Sequence, residues 1–288
     1  MKQSNVKAYF KPLSLNEAIS ILKDYEGETR IIAGATDFFA DDHPAVEALI
    51  DICGLELSYI KEDEGFLKIG ALTTINELVK SEVISSKYHG LWEASKVLGD
   101  KTIRNTATIG GNICSSVPSA DSVPALVALG AVLSIKAPSG EKKVKIEEFF
   151  TGPRKNVLKK NEILTEIQIP ICNCKFGTGF EKMTRNSEDL ALVNAAAYIK
   201  VDGDNKIKEA RVALGAVAPT VVRAKKLEEA LMGIKPEEEK LEKLTELVKE
   251  SISPISDVRC SEDYREHASK VLAKRAILEA YKRAVEKN

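Results

Sequence analysis

The chain has 288 residues, 44% apolar and 30% charged, with a formal net charge of −1. This length predicts two domains, or three small ones, around a sizeable core. The near-neutral balance gives no electrostatic case for nucleic acid or an anionic membrane. No apolar run approaches the length of a membrane span, and the N-terminus has no signal-like apolar core, so a cytoplasmic location is expected.

Ser14-Leu15-Asn16-Glu17 is a capping box, and Ala18, Ile19 and Leu22 follow at helical spacing, which predicts a helix to about Tyr25. Thr29 to Ala33 reads as a short strand ending in Gly34-Ala35-Thr36-Asp37, and Val46 to Cys53 as another. Phe66 to Ala71 is a further strand. Thr74-Ile75-Asn76-Glu77 opens a short helix ending near Ser81, and Gly90 to Leu98 is helical with Leu91, Ala94, Val97 and Leu98 on one face. Asp121 stands where it can cap the next helix, with Pro124 in its first turn; Val123 to Leu129 is almost wholly apolar and predicts a buried helix stopped by Gly130. Ala131 to Ala137 and Glu162 to Pro170 alternate as strands. Phe180 to Met183, Ala195 to Val201 and Ala210 to Val217 predict three more, with a turn at Gly203-Asp204 joining an antiparallel pair. Three amphipathic helices close the chain: one from about Arg223 to Met232, one from Pro236, and one after Ser261. Strands and helices in segregated groups predict an α+β fold, with a boundary between Pro170 and Gly179.

The most informative run is Thr108 to Asp121, T-I-G-G-N-I-C-S-S-V-P-S-A-D. Two adjacent glycines bare the backbone, so successive N–H groups can face an anion. Ordinary turns also use Gly-Gly, and the run alone leaves both readings open. No G-x-G-x-x-G fingerprint, Walker A loop or G-x-S-x-G elbow is present. Gly177-Thr178-Gly179 lacks the strand–turn–helix setting of a nucleotide loop and reads as the entry to a strand. The histidines His43, His89 and His267 have no metal spacing, and Cys172-x-Cys174 has no second pair, so its cysteines read as buried or free thiols. Poor in the acid–base chemistry of a typical hydrolase and well supplied with bare backbone, the chain suits a protein whose chemistry belongs to a phosphate-bearing cofactor.

These residues resemble the FAD-binding subunits of the molybdenum hydroxylases, the family of the xanthine dehydrogenase and carbon monoxide dehydrogenase flavoproteins. Ile31 to Asp37 is similar to the family's A-G-G-T-D loop, and Ile103 to Asn112 to its I-R-N-x-x-T-I-G-G-N segment. Pro118 to Leu126 resembles its P-x-A-D-x-x-P-x-L run, and Ile69 to Thr74 its I-G-A-x-T-T. Ser256-Asp257-Val258-Arg259 and Tyr264-Arg265 resemble its C-terminal S-D-x-R and Y-R. The resemblance covers nearly the whole chain, in order.

What the resemblance implies follows residue by residue. Two loops, Ile32-Ala33-Gly34-Ala35-Thr36-Asp37-Phe38 and Thr108-Ile109-Gly110-Gly111-Asn112, would cradle the FAD diphosphate. Asp121 would contact FAD, with a plain helix cap as the alternative. Leu98 would pack on the cofactor, or serve as a core leucine, and Leu164 would make another contact. Lys182 would lie near the flavin, where a cation favours negative charge on the ring, or be a surface lysine. Ala35 replaces a glycine of the common pattern; if φ is positive there, alanine costs about 1 kcal/mol or more.

The implied fold is a two-subdomain, PCMH-type (vanillyl-alcohol-oxidase-like) FAD-binding domain over residues 1–172, split near 55. A C-terminal α+β domain with a small antiparallel sheet follows over 173–288. The implied role is electron transfer inside a complex. A molybdenum-binding large subunit with a molybdopterin cofactor oxidises substrate, a small subunit with [2Fe-2S] clusters relays electrons to FAD, and NAD+ or another acceptor receives them. A stand-alone FAD oxidase, or a scaffold subunit that has lost FAD, are the alternatives.

Overall fold

The computed structural model describes residues 5–40 and 45–286. His43 and the first four residues lie outside that range. In the first unit, β1 (Ala8–Phe10), β2 (Thr29–Ile32) and β3 (Ala48–Asp51) form a parallel sheet of order β1-β3-β2. Helix α1 (Leu15–Asp24) buries Ala18, Ile19 and Leu22 against Ile50 and Ile52. Ser14 caps α1 through the Glu17 amide, but the Glu17 carboxylate takes the Leu13 amide at 2.7 Å, so the predicted box closes one residue early.

The second unit is an antiparallel sheet of order β4-β5-β10-β6-β7 with helices on one face. In chain order it runs β4 (Ile60–Asp63), β5 (Phe66–Gly70), α2 (Ile75–Lys80), α3 (Glu82–Lys87), α4 (His89–Lys96), α5 (Lys101–Thr106), α6 (Ile109–Cys114) and α7 (Ser122–Ala128). It continues with β6 (Val132–Ala137), β7 (Gly140–Lys145), α8 (Ile146–Phe149), the β8–β9 hairpin (Phe150–Gly152, Lys155–Asn156) and β10 (Ile163–Pro170). The capping box at Thr74 and Glu77 is complete. All seven residues of α7 are buried, as its apolar run predicts, and Gly130 ends the segment at φ +69°.

The third unit is an antiparallel sheet of β11 (Phe176–Met183), β12 (Val193–Val201), β13 (Ile207–Gly215) and β14 (Val222–Arg223) in sequence order. Helices α9 (Lys225–Ala230), α10 (Glu238–Leu244) and α11 (Glu262–Glu286) follow, with a 3-10 turn at Thr245–Glu250. This sheet is covered on both faces. Ala196, Tyr198 and Ala213 join the core of the second unit, while Ala195, Ala197 and Ile199 join a core built with α11. Burial of both faces explains why β12 reads as one apolar run rather than as an alternation.

Gly177 and Gly179 have a packing role. A Cβ at Gly177 would lie 2.1 Å from the Ala280 carbonyl oxygen, and one at Gly179 would lie 2.5 Å from that of Ala276. Bare backbone there lets α11 press onto β11. From the far side, Glu93 of α4 accepts the Phe180 amide at 3.1 Å and grips Arg283 of α11 through both carboxylate oxygens, at 2.6 and 3.0 Å.

Two expectations are corrected. Cys172 and Cys174 are joined in a disulfide rather than being free thiols; their Cα atoms are 5.3 Å apart in the turn between β10 and β11, within bridging range. The helix expected from Arg223 begins at Lys225, because Arg223 is held in β14 against Ala213.

The C-terminal signatures meet around one buried arginine. Arg265, 1% exposed, donates to the carbonyls of Leu192, Ala216 and Ile255 and pairs with Asp257 at 3.0 Å. Burial alone would raise the Asp257 carboxyl, but the Arg259 side chain, the Arg259 and Cys260 amides and Arg265 hold it well below the usual carboxylate range. A lowered folded pKa gives stability that is full above the unfolded value of about 3.9 and is lost as pH falls toward the folded one. Asp257→Asn is therefore expected to cost about 2 kcal/mol at neutral pH and to flatten the acid limb of stability between about pH 4 and lower. Urea melts across that range check it; an unchanged acid limb would contradict the assignment.

Candidate functional site

Loop 1 leaves β2 at Ile32, which is buried against Val46 and Leu49, with Ala35 and Phe38 packed beside them. Ala35 takes φ +53°. The amides of Gly34, Ala35, Thr36 and Asp37 have no protein partner among the described residues. Successive open N–H groups around a left-handed residue are the kind of backbone that can receive an anion. Gly34 presses on the second segment: a Cβ there would lie 1.8 Å from the Thr106 carbonyl oxygen.

The second segment departs from expectation. Thr108 is the N-cap of α6, and Ile109 to Asn112 form its first turn rather than a loop of open amides. The Ile109 amide binds Thr73 O, Gly110 binds Ala71 O, Gly111 binds Thr108 Oγ1 and Asn112 binds Thr108 O, at 2.9 to 3.0 Å. The Ile109 and Gly110 donors hold the turn against the Ile69-to-Thr74 segment, while those of Gly111 and Asn112 close the cap on Thr108. Gly110 lies flush on this backing, where a Cβ would be 2.6 Å from Ala71 O. Gly111 faces the open side, where an added Cβ would meet only the Thr108 hydroxyl. The Thr108 hydroxyl accepts from Gly111 and keeps its own proton to donate.

Asn112 leads to the far end of the site. Its Oδ1 accepts from Ser122 Oγ at 2.6 Å, and Asp121 stands next to Ser122. The Asp121 side chain does not cap α7. It pairs with Lys182 Nζ at 2.7 Å and accepts from Asn194 Nδ2 at 3.1 Å, and Lys182 also donates to Val97 O at 3.1 Å. The Asp121 and Lys182 side chains are 6% and 5% exposed, so Lys182 is not a surface lysine. Burial raises the Asp121 carboxyl above its usual value, against the opposing pull of Lys182 and the Asn194 amide. Leu98, one residue past Val97, and Leu164 on β10 both belong to the main core cluster, 9% and 4% exposed. Contacts thus join Gly34 to Thr106, just before the Thr108 cap, Asn112 to Ser122, and the neighbouring Asp121 to Lys182.

Three participants were missed in the sequence. Asn194 carried a signal, being a lone amide in the apolar run Val193 to Ile199. Ser122 and Arg154 carried none; Arg154 Nη1 lies 3.3 Å from Asp37 Oδ2. No group of three or more His, Cys, Asp or Glu among the described residues is placed to hold a metal. No helix there is long and apolar enough to cross a membrane.

Ala35 gives a direct test of loop 1. An L-residue at positive φ costs about 1–2 kcal/mol, partly offset by the greater freedom a glycine loses on folding. Ala35→Gly is expected to tighten cofactor binding by up to about fivefold, and Ala35→Val to weaken it. Flavin titration of the apo-chain would show this; a tighter Val variant would exclude the left-handed seat.

Residues 3–172 match the family described as the FAD binding domain in molybdopterin dehydrogenase, and 178–280 the CO dehydrogenase flavoprotein C-terminal domain. The chain belongs to this family of FAD-binding subunits. It is 32% identical to the glyceraldehyde dehydrogenase medium chain of Sulfolobus acidocaldarius, covering 94% of this chain and 97% of that one. It is also 32% identical to the xanthine dehydrogenase FAD-binding subunit of Escherichia coli O157:H7, covering 95% of each. Its fold superposes on a chain of carbon monoxide dehydrogenase from Hydrogenophaga pseudoflava with a TM-score of 0.91, at 29% identity, covering 96% of this chain and 98% of that one.

Proposed function

We propose that this chain is the electron-transfer flavoprotein of a molybdenum hydroxylase complex, with FAD lying along the line from Gly34 to Lys182. The observation that carries this reading is the run of four open amides from Gly34 to Asp37, set against a turn whose Gly111 face is bare. Four successive donors in a half-exposed loop suit the oxygens of a diphosphate. Ile32 to Phe38 would seat the diphosphate, with the hydroxyls of Thr36 and Thr108 as further donors. Ile109 and Gly110 would support it from behind, and Asn112, Asp121, Leu98 and Leu164 would line the way to the flavin.

When bound, FAD supplies storage for two electrons and their release one at a time. The chain's own residues bind, orient and exclude water. Lys182, fixed by Asp121 and Val97 O, places a positive charge where water is excluded and electrostatic effects are strong. In this reading residues 1–172 form the FAD-binding domain, with subdomains meeting near residue 55, and 173–288 the C-terminal domain. The partners are a molybdenum-binding large subunit and a [2Fe-2S] small subunit, in the cytoplasm, with NAD+ or another acceptor taking the electrons.

The test is purification from the native source with metal analysis and identification of bound chains. Yellow protein with molybdenum, iron and two further subunits is the expected result. A colourless chain that refuses FAD, or one that travels alone, would overturn the reading.

A further inference from the structure

The β8–β9 hairpin turns at Pro153 and Arg154, where Arg154 takes φ +57°. The Arg154 amide donates to Ser116 O at 2.8 Å. Asn156 Nδ2 donates to Cys114 O and to Ser116 Oγ, both at 3.0 Å. These bonds fasten the hairpin tip to the C-terminal end of α6, the helix that begins with the Gly-Gly turn. From that anchor the guanidinium reaches the other loop, with Nη1 3.3 Å from Asp37 Oδ2 and both side chains about half exposed. One residue therefore joins the turn after α6 to the Asp37 end of loop 1.

Charge gives that span a purpose. Neither Ile32 to Phe38 nor Thr108 to Asn112 contains a lysine or arginine. Asp37 is the last residue of the open-amide run, and its carboxylate repels any anion seated there. Arg154 is the cation that meets it. A guanidinium offers five N–H donors in a planar fork, enough to serve a carboxylate and a phosphate oxygen together.

We propose that Arg154 is a further cofactor-binding residue: it neutralises Asp37 and donates to the diphosphate of bound FAD. This rests on the reading of the site as an FAD cradle and adds the counter-charge that its loops lack. Arg154 thereby makes affinity depend on the phosphates rather than on the flavin ring.

Apo-protein would be titrated with FAD and with riboflavin, which has no phosphate, at low and high salt, following flavin fluorescence. Wild-type protein that does not bind FAD would sink the cradle reading and this inference with it. With wild-type binding in hand, Arg154→Ala is expected to weaken FAD by about tenfold or more, leave riboflavin unchanged, and make the FAD affinity less sensitive to salt. Arg154→Gly, which suits the positive φ, should do the same and guards against a folding defect in the alanine variant. Adding Asp37→Asn to either should recover part of the loss. FAD affinity within twofold of wild type in both variants, or equal losses for FAD and riboflavin, would overturn the inference.

Discussion

Gly34→Ala is expected to abolish FAD loading while the rest of the fold stands. The added methyl would sit 1.8 Å from the Thr106 carbonyl oxygen and 2.5 Å from its carbon, and both are backbone atoms. Backbone cannot rotate aside as a side chain can, so loop 1 must lift away from α5 and the Gly-Gly turn. Lifting it separates the open amides from the bare Gly111 face, and misplacement by an ångström is ruinous where several donors share one ligand. Loss of three or four charge-assisted hydrogen bonds amounts to several kcal/mol, and affinity should fall by at least about a hundredfold. The main cores do not include Gly34. Circular dichroism and the cooperativity of melting should therefore survive. A purified variant with a full complement of flavin would refute the contact between the two segments.

Asp121→Ala is expected to destabilise the apo-chain by about 3–5 kcal/mol, because it strands a buried ammonium. The pair is almost fully enclosed, and Val97 O alone would remain to Lys182. Asn194, fully buried, would keep only its longer bond to Ala120 O at 3.4 Å. Replacing both charges, Asp121→Ala with Lys182→Met, should restore most of the stability, since an apolar pair incurs no desolvation cost. Flavin properties should not recover in the double variant. Urea melts of the four members of this cycle at neutral pH decide the matter: a loss below about 1 kcal/mol in the single variant would mean that water reaches the lysine.

The principal elements were legible because their signals are local. Thr74 and Glu77 place α2, the Val123 to Leu129 run places a buried helix, and Gly233, at φ +74°, marks a stop. The elements not foreseen are short or polar. Strand β7, Gly-Glu-Lys-Lys-Val-Lys, is a sheet edge whose lysines keep it from pairing further, and nothing in its composition announces a strand. Helix α6 hid inside a Gly-Gly run, since glycine disfavours helix and only Thr108 marks the cap. The resemblance named candidate site residues but not a division of labour between the two segments. Which segment offers free amides and which spends them depends on the backing from Ala71 and Thr73, a partnership between distant stretches of chain. Arg154 was invisible for the same reason: its meaning lies in being 117 positions from Asp37 and beside it in space.

Glu93 and Arg283 are 190 positions apart, and their bond closes the chain on itself like a clasp. Glu93 belongs to the same helix that leads to Val97 and Leu98, and Arg283 to the helix that presses on β11, the strand of Lys182. Opening a hinge between these bodies would first have to unclasp a bidentate ion pair and then peel α11 off bare glycine backbone. In the electron-transfer role proposed above such a clasp would have a use: passage between redox centres weakens steeply with separation, and a frame fastened at this point would help to hold that separation steady.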